Sequence, residues 1–278
     1  MYVYPNVSAL NRGGRGGLLE RWQLAIDAGC RYIEVPADFV KNETEVKITG
    51  LDKGSFLTED AIAILYKKDH HLPEGVKYIL HTEPRTSNHA PLKWHDRRWV
   101  KKFVGMVLNI SNFFGVPAAA IEIHPGNRKN SYRNITTSII TLLDAYNKEF
   151  KVEPLILIEN RTGQSISSGT DILYFWKFLS ESYPHLQEKV GIVLDIQQLY
   201  TVTKKNFLSE LEMIPLESLK GFHIHHKHGV PDISNEIPWQ EVFSKIINVK
   251  DDMIINPEIH HKNKVKDAIK FCEDMSHA

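Results

Sequence analysis

Cysteine is scarce in this chain of 278 residues: only Cys30 and Cys272 occur, too far apart to form a short cysteine-based metal motif. Cys30 precedes an apolar run and is expected to be buried, which makes a reducing cytoplasm the simplest context. An excess of charge is also lacking, since Lys+Arg and Asp+Glu both number 34. There is therefore no global basic field of the kind that draws a protein onto nucleic acid, although a local basic face stays compatible with the count. No apolar run approaches the ~18 residues that span a bilayer, and no signal peptide opens the chain, so no membrane partner is expected. The opening "MYVYPNVSAL" has the character of a strand. No low-complexity linker divides the chain, which is taken as one domain over residues 1–278, and nothing specifies an oligomeric state.

What is present is a repeated alternation. Short runs rich in β-branched residues occur at 2–8, 31–36, 77–82, 119–125, 154–160, 190–196, 220–226 and 253–259. Between them lie amphipathic stretches with helical spacing, among them 17–29, 96–115, 132–150, 170–183 and 263–275. Gly29 and Gly115 follow two of these where a left-handed helix cap is expected. Eight strand–helix units in ~250 residues predict a single (β/α)8 barrel closed by right-handed crossovers. The rival is an open doubly wound sheet, which would carry a glycine-rich phosphate loop after its first strand. "NRGGRGG" (11–17) is glycine-rich but lacks the G-x-G-x-x-G spacing.

A barrel of this kind builds its active site at the carboxyl ends of the strands. Those ends carry Glu34, His81, His124, Glu159, Asp195, His223 and Glu258. Taken singly, each has an ordinary explanation. His81 suits a hydrogen-bonded loop histidine, Glu34 a helix cap or arginine partner, and Glu159 a salt bridge to Arg161. Taken together they do not, because burying so many ionisable groups costs several kcal/mol apiece unless they are paired or bound to a cation. The set of imidazoles and carboxylates suits zinc, manganese or iron.

Several motifs then resemble one family. "IEIHPGNR" (121–128) is similar to the H-P-G strand end of the endonuclease IV family, and "LIENRTGQSISSGT" (157–170) to its E-N-T-x-G-Q signature. "VGIVLDIQQLY" (190–200) resembles the strand bearing its metal-binding Asp, and "KGFHIHHK" (220–227) its G-x-H-x-N-D segment. The order of the motifs is kept over most of the chain, with "IINPEI" aligned more loosely. The wider superfamily, the xylose isomerase-like barrels, also holds sugar isomerases and epimerases. The resemblance implies one metal held by His81, His124 and a bridging Glu159, and a second held by Glu159, Asp195, His223 and Glu258. At the family's third metal the sequence departs. Gln198 stands where a histidine is usual, and Asp232 is followed by Ile233 and Ser234 instead of the Asp-x-His pattern. Gln and Ser are poor zinc ligands, so the third site is expected to be absent unless His225 or His228 rebuilds it.

Two divalent metals bridged by a carboxylate suit phosphodiester hydrolysis, with Arg161 or Lys227 as charge partners and abasic or damaged DNA as the implied substrate. The alternative is a sugar isomerase or epimerase, in which one metal sits on Glu159, Asp195, His223 and Glu258. There Glu159 and Glu258 would exchange protons while His81, His124 and Glu34 touch the sugar. A non-catalytic binding barrel is the third reading. The segment "PRTSNHAPLKWHDRRWVKK" (84–102) interleaves basic residues with Trp94 and Trp99, as a nucleic-acid surface would. Asp96 as a helix cap, with Trp99 in the first turn facing the core, explains it as well. In "GFHIHHKHG" (221–229), alternation puts His223 and His225 on one face. The resemblance selects His223 as the ligand and leaves His226 and His228 as loop residues.

Overall fold

The computed structural model describes residues 1–5, 17–37, 39–40, 42–66, 72, 74–82, 85–86, 90–249 and 253–277. Eight parallel strands run in chain order around one sheet. They are β1 (Val3–Tyr4), β2 (Tyr32–Ala37), β3 (Lys77–Thr82), β4 (Ala120–Ile123), β5 (Leu155–Glu159), β6 (Val190–Asp195), β7 (Leu219–His223) and β8 (Ile254–Asn256). Every expected run overlaps one, with β2 running one residue past its run and β7 starting one residue before. The ring closes between β8 and β1 through a parallel bridge from Tyr2 to Ile255 and a hydrogen bond from the Ile255 amide to the Met1 carbonyl at 2.8 Å. Residues 6–8 of the first expected run, and all but the last residue of the glycine-rich segment "NRGGRGG", lie outside the described residues.

Helices cover the outside. They are α1 (Gly17–Asp27), α2 (Glu43–Thr49), α3 (Glu59–Tyr66), α4 (Arg97–Phe114), α5 (Tyr132–Phe150), α6 (Gly169–Ser182), α7 (Ile196–Thr203), α8 (Phe207–Met213), α9 (Trp239–Ile247) and α10 (Val265–Ser276). Their ends follow local chemistry. Asp96 caps α4 by accepting from the amides of Arg98 and Trp99, and Gly115 ends it at φ 70°. Ser131 and Ser168 cap α5 and α6 with reciprocal capping boxes. No helix among the described residues is long and apolar enough to cross a membrane.

Two apolar layers result. The larger lies between strands and helices, and the smaller fills the barrel floor with Val3, Tyr32, Ile79, Ala120, Leu157, Val193 and Ile254. Side chains alternate along a strand, so the residue two positions on points the same way, one layer nearer the mouth. From five of these floor residues that step gives Glu34, His81, Glu122, Glu159 and Asp195, and from Ile254 it gives Asn256. The change from apolar floor to ionisable layer within one strand period places the site.

Candidate metal centre

The second inward layer is buried and rich in carboxylates. Glu34, Glu122, Glu159, Asp195, His124, His223 and His225 are each at most 3% exposed. His81 Nε2 lies 3.2 Å from His124 Nε2 and 3.3 Å from Glu159 Oε2, and His124 Nε2 lies 3.5 Å from the same oxygen. Ligands bound at about 2.0–2.1 Å in a tetrahedron are separated by about 3.3 Å, so these three atoms have the spacing of one face of a zinc-type site.

The hydrogen bonding of His81 supports this. Its Nδ1 meets Glu34 Oε1, which leaves the Nε2 lone pair directed at Glu159. Two lone pairs face each other there, and only a proton or a metal cation between them makes the contact favourable. Glu34 is itself held by Asn256, whose Nδ2 donates to Oε2 at 3.0 Å, and its carbonyl accepts from the buried Arg21. Burial alone would raise Glu34, but His81 beside it holds its pKa at about 2. Burial opposes charge on His81 as well, yet Glu122 and Glu34 raise it well above the usual imidazole value. Burial, with His81 and Arg161 nearby, pushes His124 well below that value and keeps it neutral, as a ligand must be.

A second group forms beside the first. His223 Nδ1 lies 3.4 Å from Glu258 Oε2 and 3.8 Å from Glu159 Oε2, and Asp195, His223 and Glu258 offer donor atoms within 4.8 Å of one another. His223 Nε2 faces Glu122 Oε1 at 3.2 Å, repeating the carboxylate–imidazole arrangement of Glu34 and His81. A third group of the same kind contains His225, His228 and Glu258. Both oxygens of Glu159, Asp195 Oδ2, Glu258 Oε2, Glu122 Oε1, His223 Nδ1 and His225 Nε2 are buried without a hydrogen bond. Burial, the largest influence on Glu159, raises its pKa to about 7. Such a concentration of unsatisfied carboxylate oxygens is costly unless a cation meets them, so the residues present fit divalent metals.

Flanking loops fix the strand ends that carry these side chains. Gly126, in the H-P-G turn, has φ 71°, and a Cβ there would stand 2.3 Å from Asn130 Nδ2. Its amide donates to Gln164 Oε1 at 2.6 Å, and its carbonyl accepts from Ser165 at 2.7 Å. The turn after β4 and the N-R-T-G-Q loop after β5 therefore lock each other. Asn160 bonds both backbone groups of Asp195, accepting from the amide at 2.7 Å and donating to the carbonyl at 3.1 Å.

The other sequence candidates separate. Arg161 approaches Glu159 Oε1 at 3.7 Å, and its side chain is partly exposed toward the mouth. Gln198 stands outside the donor groups: its amide donates to Asp195 Oδ1 and its Oε1 accepts from Thr162. Asp232 is exposed and accepts from Ser234. Lys227 is exposed and pairs with Glu236 at 3.5 Å, while His226 meets the same carboxylate at 3.2 Å. Trp94 and Trp99 are buried and pack on Phe103, so the basic–aromatic segment puts its rings in the core and leaves Arg97, Arg98, Lys101 and Lys102 outside. Two inward residues escaped the sequence reading, Glu122 and Asn256. Each lies two positions before a recognised candidate, His124 and Glu258, and the alternation rule would have found both.

No family model matches the sequence, and no curated protein matches it. Solved structures do match in shape. An L-ribulose 3-epimerase superposes with a TM-score of 0.63 at 11% identity, covering 99% of this chain and 94% of that one. An AP endonuclease of family 2 from Brucella melitensis gives 0.58 at 12% identity, over 98% and 97% of the two chains. Endonuclease IV from Thermus thermophilus gives 0.56 at 14%, over 99% and 98%. The fold is that of the xylose isomerase-like (β/α)8 barrels.

Proposed function

We propose that this xylose isomerase-like barrel is a divalent-metal-dependent hydrolase of phosphodiesters, resembling endonuclease IV in its chemistry and taking abasic or damaged DNA as substrate. The observation that carries the reading is the triangle of His81 Nε2, His124 Nε2 and Glu159 Oε2, with sides of 3.2–3.5 Å. Nitrogens this close leave no room for a sugar between them and suit a shared cation. His81, His124 and Glu159 would hold one metal, and Asp195, His223 and Glu258 a second.

Two such cations, when bound, acidify a water at neutral pH and stabilise charge on the attacking and leaving oxygens. The chain's own residues prepare the site. Glu34 and Glu122 fix the orientation of His81 and His223, and the apolar floor below excludes bulk water. Arg161 stands at the edge of Glu159, where its guanidinium meets an incoming phosphate. Arg97 and Arg98, exposed at the start of α4 on the mouth side, supply a basic rim.

A second reading, sugar epimerisation, is favoured by one feature: Glu159, at the end of β5, and Glu258, just beyond β8, approach His223 Nδ1 at 3.8 and 3.4 Å, as a proton-exchanging pair would. Incubation with a duplex carrying one abasic site, with Mn²⁺ or Zn²⁺, separates the two. Strand nicking that disappears in Glu159→Gln is the expected result. No nicking at any metal concentration, together with epimerisation of a ketose, would establish the second reading.

A further inference from the structure

The third donor group, His225, His228 and Glu258, has the composition of a cation site, and its atoms lie within 4.8 Å of one another. Its hydrogen bonds point elsewhere. The backbone amide of His228 donates to His225 Nδ1 at 3.1 Å. A ring nitrogen that accepts keeps its lone pair, so the proton of a neutral His225 sits on Nε2. A ligating imidazole does the reverse: it gives a lone pair to the metal and donates its other N–H to a carboxylate or carbonyl. His81 follows that pattern and His225 opposes it. His225 Nε2 faces Glu258 Oε2 at 3.2 Å and Asp195 Oδ2 at 3.5 Å, two carboxylates that accept a proton and donate none.

The loop is built to hold this tautomer. Lys227 and His228 both adopt left-handed backbone, at φ 52° and 56°, although neither is glycine. Reciprocal hydrogen bonds between His226 and Gly229, at 3.0 and 2.9 Å, pin the turn. The turn aims the His228 amide at Nδ1 and lays the His228 ring over His225, with centroids 4.6 Å apart and planes 12° from parallel. His260 covers the other face of His228 at 3.9 Å.

We propose that His225 is a positioning residue and not a ligand: its Nε2–H faces Asp195 and Glu258, holds these carboxylates toward His223 by charge and contact, and fills the place a third cation would take. The centre then holds two metals. This rests on the metal reading above and adds the occupancy and the role of the third group.

The test uses the full chain loaded with zinc or cadmium. With ¹⁵N-labelled histidine, His225 is expected to show an Nε2–H correlation and no coupling to ¹¹³Cd, and elemental analysis to give two metal equivalents. His225→Gln, whose amide N–H can reach the same carboxylates, should keep both equivalents. His225→Leu should weaken one of them 10–100-fold and leave the other unchanged. Three equivalents falling to two in His225→Gln, or cadmium coupling to His225, would overturn the assignment while sparing the metal reading. Failure to bind any metal would remove both.

Discussion

Glu159 contributes two buried oxygens with no hydrogen bond, and its energetics can be followed by pH. In the metal-free fold, burial lifts its pKa from 4.5 to about 7. As pH rises through that window, the unfolded chain releases the proton before the fold does, so the metal-free fold loses stability, on the order of 3 kcal/mol in full. Glu159→Gln removes that loss. Thermal melting of chelator-treated protein at pH 8 should show the variant several degrees above the parent, with the gain gone by pH 4, while its metal content drops. Behind the candidate donors, Glu34 bonds His81 and Glu122 faces His223 Nε2 at 3.2 Å. Glu34→Gln and Glu122→Gln should each weaken metal binding 10–100-fold, measured by competition with a chelating dye. At this scale the buried donor side chains were legible because ionisable residues interrupted apolar strands. Glu122 was not, because "IEIHPG" offers two inward residues and the resemblance drew attention to one.

At the scale of elements, the strand ends are held by side chains acting as backbone. Asn160 continues β5 and joins it to β6 through both peptide groups of Asp195. Asn160→Ala leaves a buried N–H and a buried C=O unpaired, at a cost on the order of 3 kcal/mol. Denaturant unfolding should register it, and the second metal equivalent should weaken because Asp195 is released. Gly29, Gly115 and Asp96 marked helix ends by their capping chemistry, and α5 spans the stretch its pattern outlined. The segment 84–102 was ambiguous in sequence, since a basic–aromatic run and a capped amphipathic helix share one composition. Burial of Trp94 and Trp99 against Phe103 decides for the helix. The register of "IINPEI" was also unreadable: β8 ends at Asn256, which pairs with His223, and Glu258 reaches the site from just beyond the strand.

Across the whole molecule, eight apolar runs sufficed to specify the barrel, because a parallel strand buried on both faces leaves little sequence ambiguity. Net charge held less information, since balanced totals conceal a mouth lined with carboxylates. Divalent metal should therefore stabilise the fold by mass action, about 2.7 kcal/mol at a hundredfold excess over Kd. Chelation should lower Tm and readdition restore it; a Tm indifferent to both would contradict a built centre. The seam between β8 and β1 gives this a mechanical form. Among the described residues it is stitched by one bridge and by bonds from Met1 to Met253 and Ile255, between strands of three and two residues, and β8 carries Asn256 and leads to Glu258. A cation shared by Glu258, Asp195 and His223 would clasp the last strand to its neighbours and brace the joint from within. Amide exchange at Ile254–Asn256 should then slow on metal binding more than anywhere in β4 or β5, so that loading the centre and shutting the hoop are one event.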